Sequence, residues 1–329
     1  MKKVFAVLIL LLISFVLAQT GTLTAANVGL AEPAANTVEL VEITDECRVI
    51  AHPLGETCAP LNPTRIVSLD PGMVTDNLIA LERTPIGSTV YSQEDDAAYP
   101  PAIIEQAGNI EVVGVGDPNL EAILALDPDL IIARGPFQFG DAYEQFSAIA
   151  PSITVEDSND WRTKLEDIAI ITGDEALAED LMNQFYVDAA ALDEQLPDME
   201  IALLRPRPDL MQVYGIDAEA TRILGAIGLS LTPVPGGATN LWGPTGEEAG
   251  QISYEVLDLI EGEVFFVISY NLDTEQMENF LTGQVWNALP VVQADNAFNV
   301  EGTAWTNHGY FGVYEVLAEV EAALLGGGM

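Results

Sequence analysis

Asn119-Leu-Glu-Ala-Ile-Leu-Ala-Leu126, then Asp127-Pro-Asp129, then Leu130-Ile-Ile-Ala133 with Arg134 directly after it, is the stretch on which the fold turns. The first eight residues favour a helix, the Asp-Pro-Asp step turns the chain, and the four-residue apolar run is too short for a buried helix and reads as a strand. The same grammar extends in both directions. Upstream, Arg65-Ile-Val-Ser-Leu69 reads as a strand, Val74–Leu81 as a helix and Pro85-Ile-Gly-Ser88 as a second strand. Downstream, Ile201-Ala-Leu-Leu204 reads as a strand, Ala218–Ile227 and Ile252–Ile260 as helices, and Val264-Phe-Phe-Val-Ile268 as a buried strand. Alternating short strands and helices predict parallel sheets. Between the two halves, Leu177, Leu181, Met182, Phe185, Ala189 and Leu192 recur at spacings of three and four, after Gly173 and before Pro197. This is one amphipathic helix over 175–196, roughly 33 Å long at ~1.5 Å per residue. The expected fold is therefore α/β, two Rossmann-like lobes (47–173 and 198–325) joined by one long α-helix (174–197).

Charge and the N-terminus restrict the class of function. Asp and Glu number 51 against 11 Lys and Arg, a formal net charge of -40. Such a field repels nucleic-acid backbones and anionic lipid surfaces. Met1-Lys2-Lys3, the run Val4–Ala18 that is apolar but for Ser14, and polar Gln19-Thr20 form a signal-peptide pattern over 1–18, short of the ~20 residues of a spanning helix. An uncleaved anchor is the alternative; no Cys follows closely enough to support lipid attachment. Residues 19–46, rich in Ala, Thr and Asn without clear periodicity, read as a flexible leader. In an exported chain Cys47 and Cys58, separated by a segment holding Pro53 and Gly55, read as a local disulfide, with two unpaired thiols as the alternative.

Open parallel sheets bind ligands outside the carboxyl ends of their strands. Arg134 follows Leu130–Ala133, Arg205 and Arg207 follow Ile201–Leu204, and Trp161-Arg162 follow the apolar run Ile153–Val155. These arginines are expected to converge on an anion between the lobes, because a planar guanidinium binds carboxylate or phenolate oxygens in pairs and stays charged when desolvated. The alternative is that each pairs with a surface acid. Trp161, Trp242 and Trp305 are candidates for flat apolar walls, or for core packing. Enzyme motifs are missing: there is no Gly-x-Ser-x-Gly elbow, Walker loop or His-Glu-x-x-His, and Gly114-Val-Gly-Asp-Pro-Asn lacks the last glycine of a dinucleotide fingerprint. With only His52 and His308, and no Asp-x-Asp-x-Asp-Gly loop, neither a histidine-rich metal site nor a calcium loop is encoded. Asp95-Asp96 and Glu247-Glu248 read as solvated surface.

From about Cys47 to Leu325 the chain resembles the periplasmic substrate-binding proteins with a helical backbone between their lobes, which serve ABC importers for iron-siderophores, haem and vitamin B12. The segments that carry the resemblance are Asn62-Pro-Thr-Arg-Ile-Val-Ser-Leu69, Asn119–Ile132, Asp160-Trp-Arg162, Arg205-Pro-Arg-Pro-Asp209 with Val213-Tyr-Gly215, Ile252-Ser-Tyr-Glu255, and Val285-Trp-Asn-Ala-Leu-Pro-Val-Val292 with Trp305 downstream. The resemblance implies a ferric-siderophore carrier, which makes and breaks no bond and needs no cofactor; the residues expected to bind the ligand are those singled out above by position and type, Arg134, Trp161, Arg162, Arg205, Arg207, Trp242 and Trp305, and the expected state is a monomer. It also implies that Glu121 and Glu255, one per lobe, dock onto arginines of the membrane permease. Two departures stand out. Gln284-Val285-Trp286 replaces a Pro-Leu-Trp, and Thr232-Pro233 stands where relatives have Arg-Pro, so a C-lobe ligand arginine is either missing or replaced by Arg222. A haem or cobalamin carrier of the same fold is the nearest alternative, with His308 or Tyr310 as axial ligand; a secreted enzyme or adhesion domain is the alternative outside the fold.

Overall fold

The run Leu130–Ala133 is fully buried on both faces. Leu130 and Ile132 face the largest apolar cluster, and Ile131 and Ala133 face a second one on the opposite side, the period-two alternation of a strand covered by helices on both sides. The computed structural model describes residues 24–93, 98–156, 158, 160–215, 218–235, 239–240, 249–269, 275–306 and 309–326; the expected export segment, Asp95-Asp96, Trp242, Glu247-Glu248 and His308 lie outside them.

Three antiparallel strands come first, β1 (Glu39–Ile43), β2 (Cys47–His52) and β3 (Gly55–Pro60). The first lobe holds β4 (Ile66–Ser68), β5 (Gly87–Val90), β6 (Glu111–Val115), β7 (Asp117–Pro118), β8 (Leu130–Arg134) and β9 (Ser152–Val155) in the spatial order β7-β6-β5-β4-β8-β9, parallel except for β7. The second lobe holds β10 (Glu200–Pro206), β11 (Leu210–Tyr214), β12 (Ser230–Leu231), β13 (Thr239–Asn240), β14 (Ala249–Ser253), β15 (Val264–Ser269) and β16 (Ala297–Glu301). Their order is β13-β14-β11-β10-β15-β16, with β12 beside β10. This second sheet is mixed rather than parallel throughout. The segment Arg205–Asp209 turns the chain so that β11 runs back along β10, with Arg205 opposite Gln212. Residues 252–260, expected as one helix, instead finish β14 and form a 3-10 helix over Tyr254–Leu259, because pairing of β14 with β11 takes precedence over local helix propensity.

The helices are α1 (Met73–Ala80), α2 (Leu120–Ala125), α3 (Tyr143–Ile149), α4 (Trp161–Thr172), α5 (Glu175–Asp193), α6 (Glu219–Ala226), α7 (Glu275–Leu281), α8 (Gln284–Asn287), α9 (Pro290–Gln293), α10 (Gly302–Thr306) and α11 (Tyr310–Leu324). Gly173, left-handed at φ 86°, ends α4 and lets α5 begin at once; a side chain at that φ would be strained. α5 carries the chain from the first sheet to the second, three residues shorter than the apolar periodicity predicts. It buries Ala178, Met182, Phe185, Tyr186, Ala189 and Leu192 in a cluster that also holds Ile66, Met73 and Leu130 of the first lobe and Leu203, Phe266 and Val313 of the second. One continuous apolar core therefore crosses from lobe to lobe.

Polar contacts stitch the same boundary. The N-terminus of α11 has no side-chain cap of its own at Gly309; α1 supplies one from the other lobe. Asp76 accepts the amides of Phe311 (2.9 Å) and Gly312 (3.1 Å), and Asn77 accepts that of Tyr310 (3.0 Å). Lys164 of α4 pairs with Glu219 of α6 at 2.6 Å, both nearly buried.

Two N-terminal features follow. Residues 24–46 are a strap rather than a flexible leader. Ala25, Val28 and Val38 enter the core, the carbonyls of Ala31 and Ala34 accept from Arg162 and Thr163, and Thr37 donates to Asp167. These carbonyls satisfy buried polar groups of α4 that would otherwise lack partners. Cys47 and Cys58 form a disulfide between the paired strands β2 and β3, with Cα atoms 5.5 Å apart.

Of the five carboxyls that burial raises, Glu166 and Glu315 among them, three move furthest despite partial relief from hydrogen bonds: Asp76 to about 7, Glu319 to about 7 and Asp167 to about 6. Each keeps its proton in the folded chain at a pH where the unfolded chain has lost it, so folding takes up protons between about pH 4 and 7 and stability falls as pH rises through that window. His52, pushed by burial down to about 4, acts in the opposite sense, its contribution being lost as pH falls below its unfolded value. With five groups against one, the thermal midpoint is expected to be higher at pH 5.5 than at pH 8, and D76N should narrow the difference. A midpoint that climbs steadily from pH 5.5 to 8 in calorimetry would contradict this account.

Candidate functional site

Outside Lys2 and Lys3 the chain has nine Lys and Arg residues, and six of them are bound into the framework. Arg48 pairs with Glu175 and donates to the Ile170 carbonyl (3.0 Å). Arg65 donates to the carbonyls of Asp127 (2.8 Å) and Leu126. Arg83 grips both oxygens of Asp174 at 2.8 Å. Arg162 grips both oxygens of Asp160 (2.8 and 2.5 Å), Lys164 pairs with Glu219, and Arg222 approaches Asp160 to 4.0 Å from the other lobe. The remaining three, Arg134, Arg205 and Arg207, all stand at the carboxyl ends of central strands: Arg134 ends β8, while Arg205 and Arg207 lie at the end of β10.

Those two strands flank the points where each sheet changes direction. β4 has β5 on one side and β8 on the other; β10 likewise has the parallel strands β12 and β15. Crossovers that leave on opposite sides open a crevice there, so the topology itself makes room for a ligand. On the first lobe, Arg134 Nη1 is 3.9 Å from Asp70 Oδ2, and the Arg134 amide donates to Gln138 Oε1 (2.5 Å). Asp70 is itself held, accepting the amide of Val74 at the start of α1 (3.0 Å). Gly135 has φ 76°, and a Cβ there would lie 2.5 Å from the ring of Phe137, so the glycine lets that ring fold against the backbone while remaining 75% exposed. Tyr91, just past β5, is also exposed.

On the second lobe, Arg207 Nε donates to Gln212 Oε1 (3.1 Å), and the Tyr254 hydroxyl donates to the Arg207 carbonyl (2.5 Å). Burial pushes the Tyr254 phenol up, which keeps it a neutral donor. Beside this turn lies a cavity of about 560 Å³ whose lining includes Arg207, Tyr254, Leu257, Phe280, Val285 and Trp286. Its rings touch: Tyr254 and Phe280 are 5.5 Å apart between centroids, and Phe280 and Trp286 are 4.6 Å apart.

Other residues expected at the site lie elsewhere. Trp161 is buried against Phe185 and Tyr310, Arg162 is 1% exposed with its Nε and Nη2 donated to Asp160 and the strap, and Trp305 is buried on Phe266 with its indole N–H donated to Glu319. In this structure none of the three faces a crevice. Arg222 lies on α6, near Asp160, rather than at a strand end. Tyr310, the axial ligand of the haem reading, is enclosed by Trp161 and Tyr314. The walls that sequence reasoning missed are Tyr91, Phe137, Tyr254, Phe280 and Trp286. Of these only Phe137 had a local signal, three positions past a strand-end arginine.

Glu121 and Glu255 are exposed and equivalently placed. Each is the second residue of a short helix whose cap, Asn119 or Ser253, accepts that glutamate's own amide (2.9 and 3.3 Å). The cap fixes the backbone and leaves the carboxylate pointing outward.

A sequence model described as "Periplasmic binding protein" matches residues 66–299, well over half of the chain. The chain belongs to the periplasmic binding protein family. It is 26% identical over 278 residues to the Probable siderophore-binding lipoprotein YfiY of Bacillus subtilis, covering 81% of this chain and 84% of that one. It is 25% identical over 307 residues to the ferric enterobactin-binding periplasmic protein FepB of Escherichia coli, covering 87% and 93%. Among solved structures it superposes on a FhuD-fold periplasmic binding protein component of a Fep/Fec-like ferrichrome ABC transporter from Bacillus subtilis with a TM-score of 0.69, at 21% identity over 83% of this chain and 98% of the other. The two α/β lobes are thus those of the family fold.

The Asp160–Arg162 pair gives a direct check on the division between framework and ligand arginines. R162A leaves a buried carboxylate with only a distant partner, and is expected to cost about 3–5 kcal/mol of stability. Denaturant unfolding without any ligand should register the loss. An unchanged midpoint would return Arg162 to the set of ligand candidates.

Proposed function

We propose that the chain is the substrate-binding component of an ABC importer, capturing a ferric siderophore between its lobes and delivering it to a membrane permease. The observation that carries this reading is the placement of positive charge: Arg134 stands at the carboxyl end of β8 and Arg205 and Arg207 at that of β10, one lobe each side. Guanidinium forks there suit the anionic oxygens of a chelate. The siderophore and ferric-enterobactin binding named for YfiY and FepB supports the same cargo. Iron is substrate, and the siderophore supplies its oxygen ligands; among the described residues no group of three or more His, Cys, Asp or Glu side chains is placed to hold a metal ion.

Delivery follows from the paired glutamates. Two outward carboxylates held on capped turns, one per lobe, offer a permease a fixed spacing to read, and Glu121 and Glu255 are assigned that role. The chain works as an exported monomer, in the periplasm or at the cell surface; among the described residues no helix is long and apolar enough to cross a membrane. No chemical step is required of it. The lobes 47–173 and 198–325 move little against each other, because closure would have to break the shared core and the α1–α11 cap.

R134A and R205A are each expected to weaken ferric-chelate binding by about 10- to 100-fold, the worth of a charge-assisted hydrogen bond, with the thermal midpoint unchanged. Unaltered affinity for every ferric chelate tested by titration calorimetry would remove the arginines from the site. Solution scattering with and without bound chelate should show no marked compaction; a large decrease in radius of gyration would refute the stiff-lobe account.

A further inference from the structure

We infer that the 560 Å³ cavity of the second lobe receives an aryl arm of the chelate, so that the cargo is a catecholate- or phenolate-type ferric siderophore rather than a citrate or hydroxamate one; this rests on the ferric-siderophore reading above. The cavity lies beside the turn at the carboxyl end of β10, with Arg207 in its lining, the strand end to which the proposed site assigns its second-lobe arginines. Its volume is within the range of roughly 300–1,000 Å³ typical of small-molecule pockets and exceeds what one aromatic ring needs.

The lining selects among chelate chemistries. Tyr254, Phe280 and Trp286 line it as a tilted ring cluster, with interplanar angles of 38° and 47°, and Leu257 and Val285 complete an apolar surface. A planar ring fits such walls in offset or edge-to-face contact. Polar capacity is small: the Tyr254 hydroxyl is spent on the Arg207 carbonyl, which leaves the Arg207 guanidinium and the side chains of Asn279 and Gln284. A citrate-type chelate would bring several carboxylate and hydroxyl groups against apolar walls with too few partners, and each buried polar group left unmatched is costly. A ferric tris(hydroxamate) is neutral and gives the arginines nothing to neutralise. A tris(catecholate) complex combines aromatic rings with net negative charge, and it matches rings and arginines together.

The test uses the exported chain with three probes: a ferric tris(catecholate) siderophore, a ferric trihydroxamate and ferric citrate, titrated by tryptophan fluorescence and calorimetry. The catecholate should bind at least about tenfold tighter than the other two. Val285 lines the cavity yet is 45% exposed, so V285W narrows the cavity without emptying the core, and it should cost the catecholate at least about tenfold while circular dichroism and the thermal midpoint stay as in the parent. W286L should act in the same direction; should it unfold, V285W alone decides. Tighter binding of citrate or hydroxamate, or catecholate affinity untouched by V285W, overturns the inference and leaves the carrier reading standing. Failure of all three chelates to bind overturns both.

Discussion

Fifty-one acidic side chains share nine cations once Lys2 and Lys3 are set aside, and where those nine go determines what the rest of the molecule can do. Every cation placed in a core or between elements is one fewer for a ligand. Six hold the framework, and Arg162 does so where a carboxylate is buried: Asp160 is 3% exposed and would be severely destabilising without it. A single Lys164–Glu219 pair and a 4.0 Å approach of Arg222 to Asp160 then bind α4 of one lobe to α6 of the other. What is left is three arginines at the ends of two strands. In a chain with ordinary amounts of lysine such a coincidence would carry little weight; here it separates framework from function.

The same boundary explains why the lobes behave as one piece. α11 starts at Gly309 with no cap of its own, so its first amides depend on Asp76 and Asn77 across the boundary. Gly309 is packed so closely on Asp76 that a Cβ would meet that side chain at 2.4 Å, which makes the glycine a requirement of the approach rather than of backbone freedom. Separating α1 from α11 would strip those donors of their acceptors and open the apolar cluster around Phe185 and Val313. Each of these costs free energy, and together they disfavour hinge motion far more than the length of α5 does.

Much of the fold was legible because apolar runs with sharp boundaries leave few choices: Leu130–Ala133, Ile201–Leu204 and Val264–Ile268 all form strands, and α5 follows its three-and-four spacing. The strap 24–46 was not, since it is ordered by long-range hydrogen bonds to α4 that have no periodic signature. Asp160-Trp-Arg162 shows a different limit. Its position after a strand suggested a ligand site, but an Asp capping a helix with an Arg two residues later can satisfy both charges locally, and burial then closes the pair to anything else. Residue type gave the arginines and tryptophans; which way each one faces depends on tertiary contacts. The cavity is the extreme case, because Arg207, Tyr254, Phe280 and Trp286 come from three separate segments and meet only after the β10–β11 turn, β14 and α7–α8 have packed.

An anionic cargo and a chain of net charge -40 repel at long range, so capture has to be a short-range event. At physiological ionic strength charges separated by more than about 8 Å are largely screened, which removes most of the repulsion before contact without touching a guanidinium already in a desolvated crevice. In the proposed carrier, specificity then rests on three arginines and a few rings rather than on the overall field. This also gives the framework pairs a second consequence. By pairing with Asp160 and Glu219, Arg162 and Lys164 offset one buried and one nearly buried carboxylate at the contact of α4 with α6, where the two lobes meet.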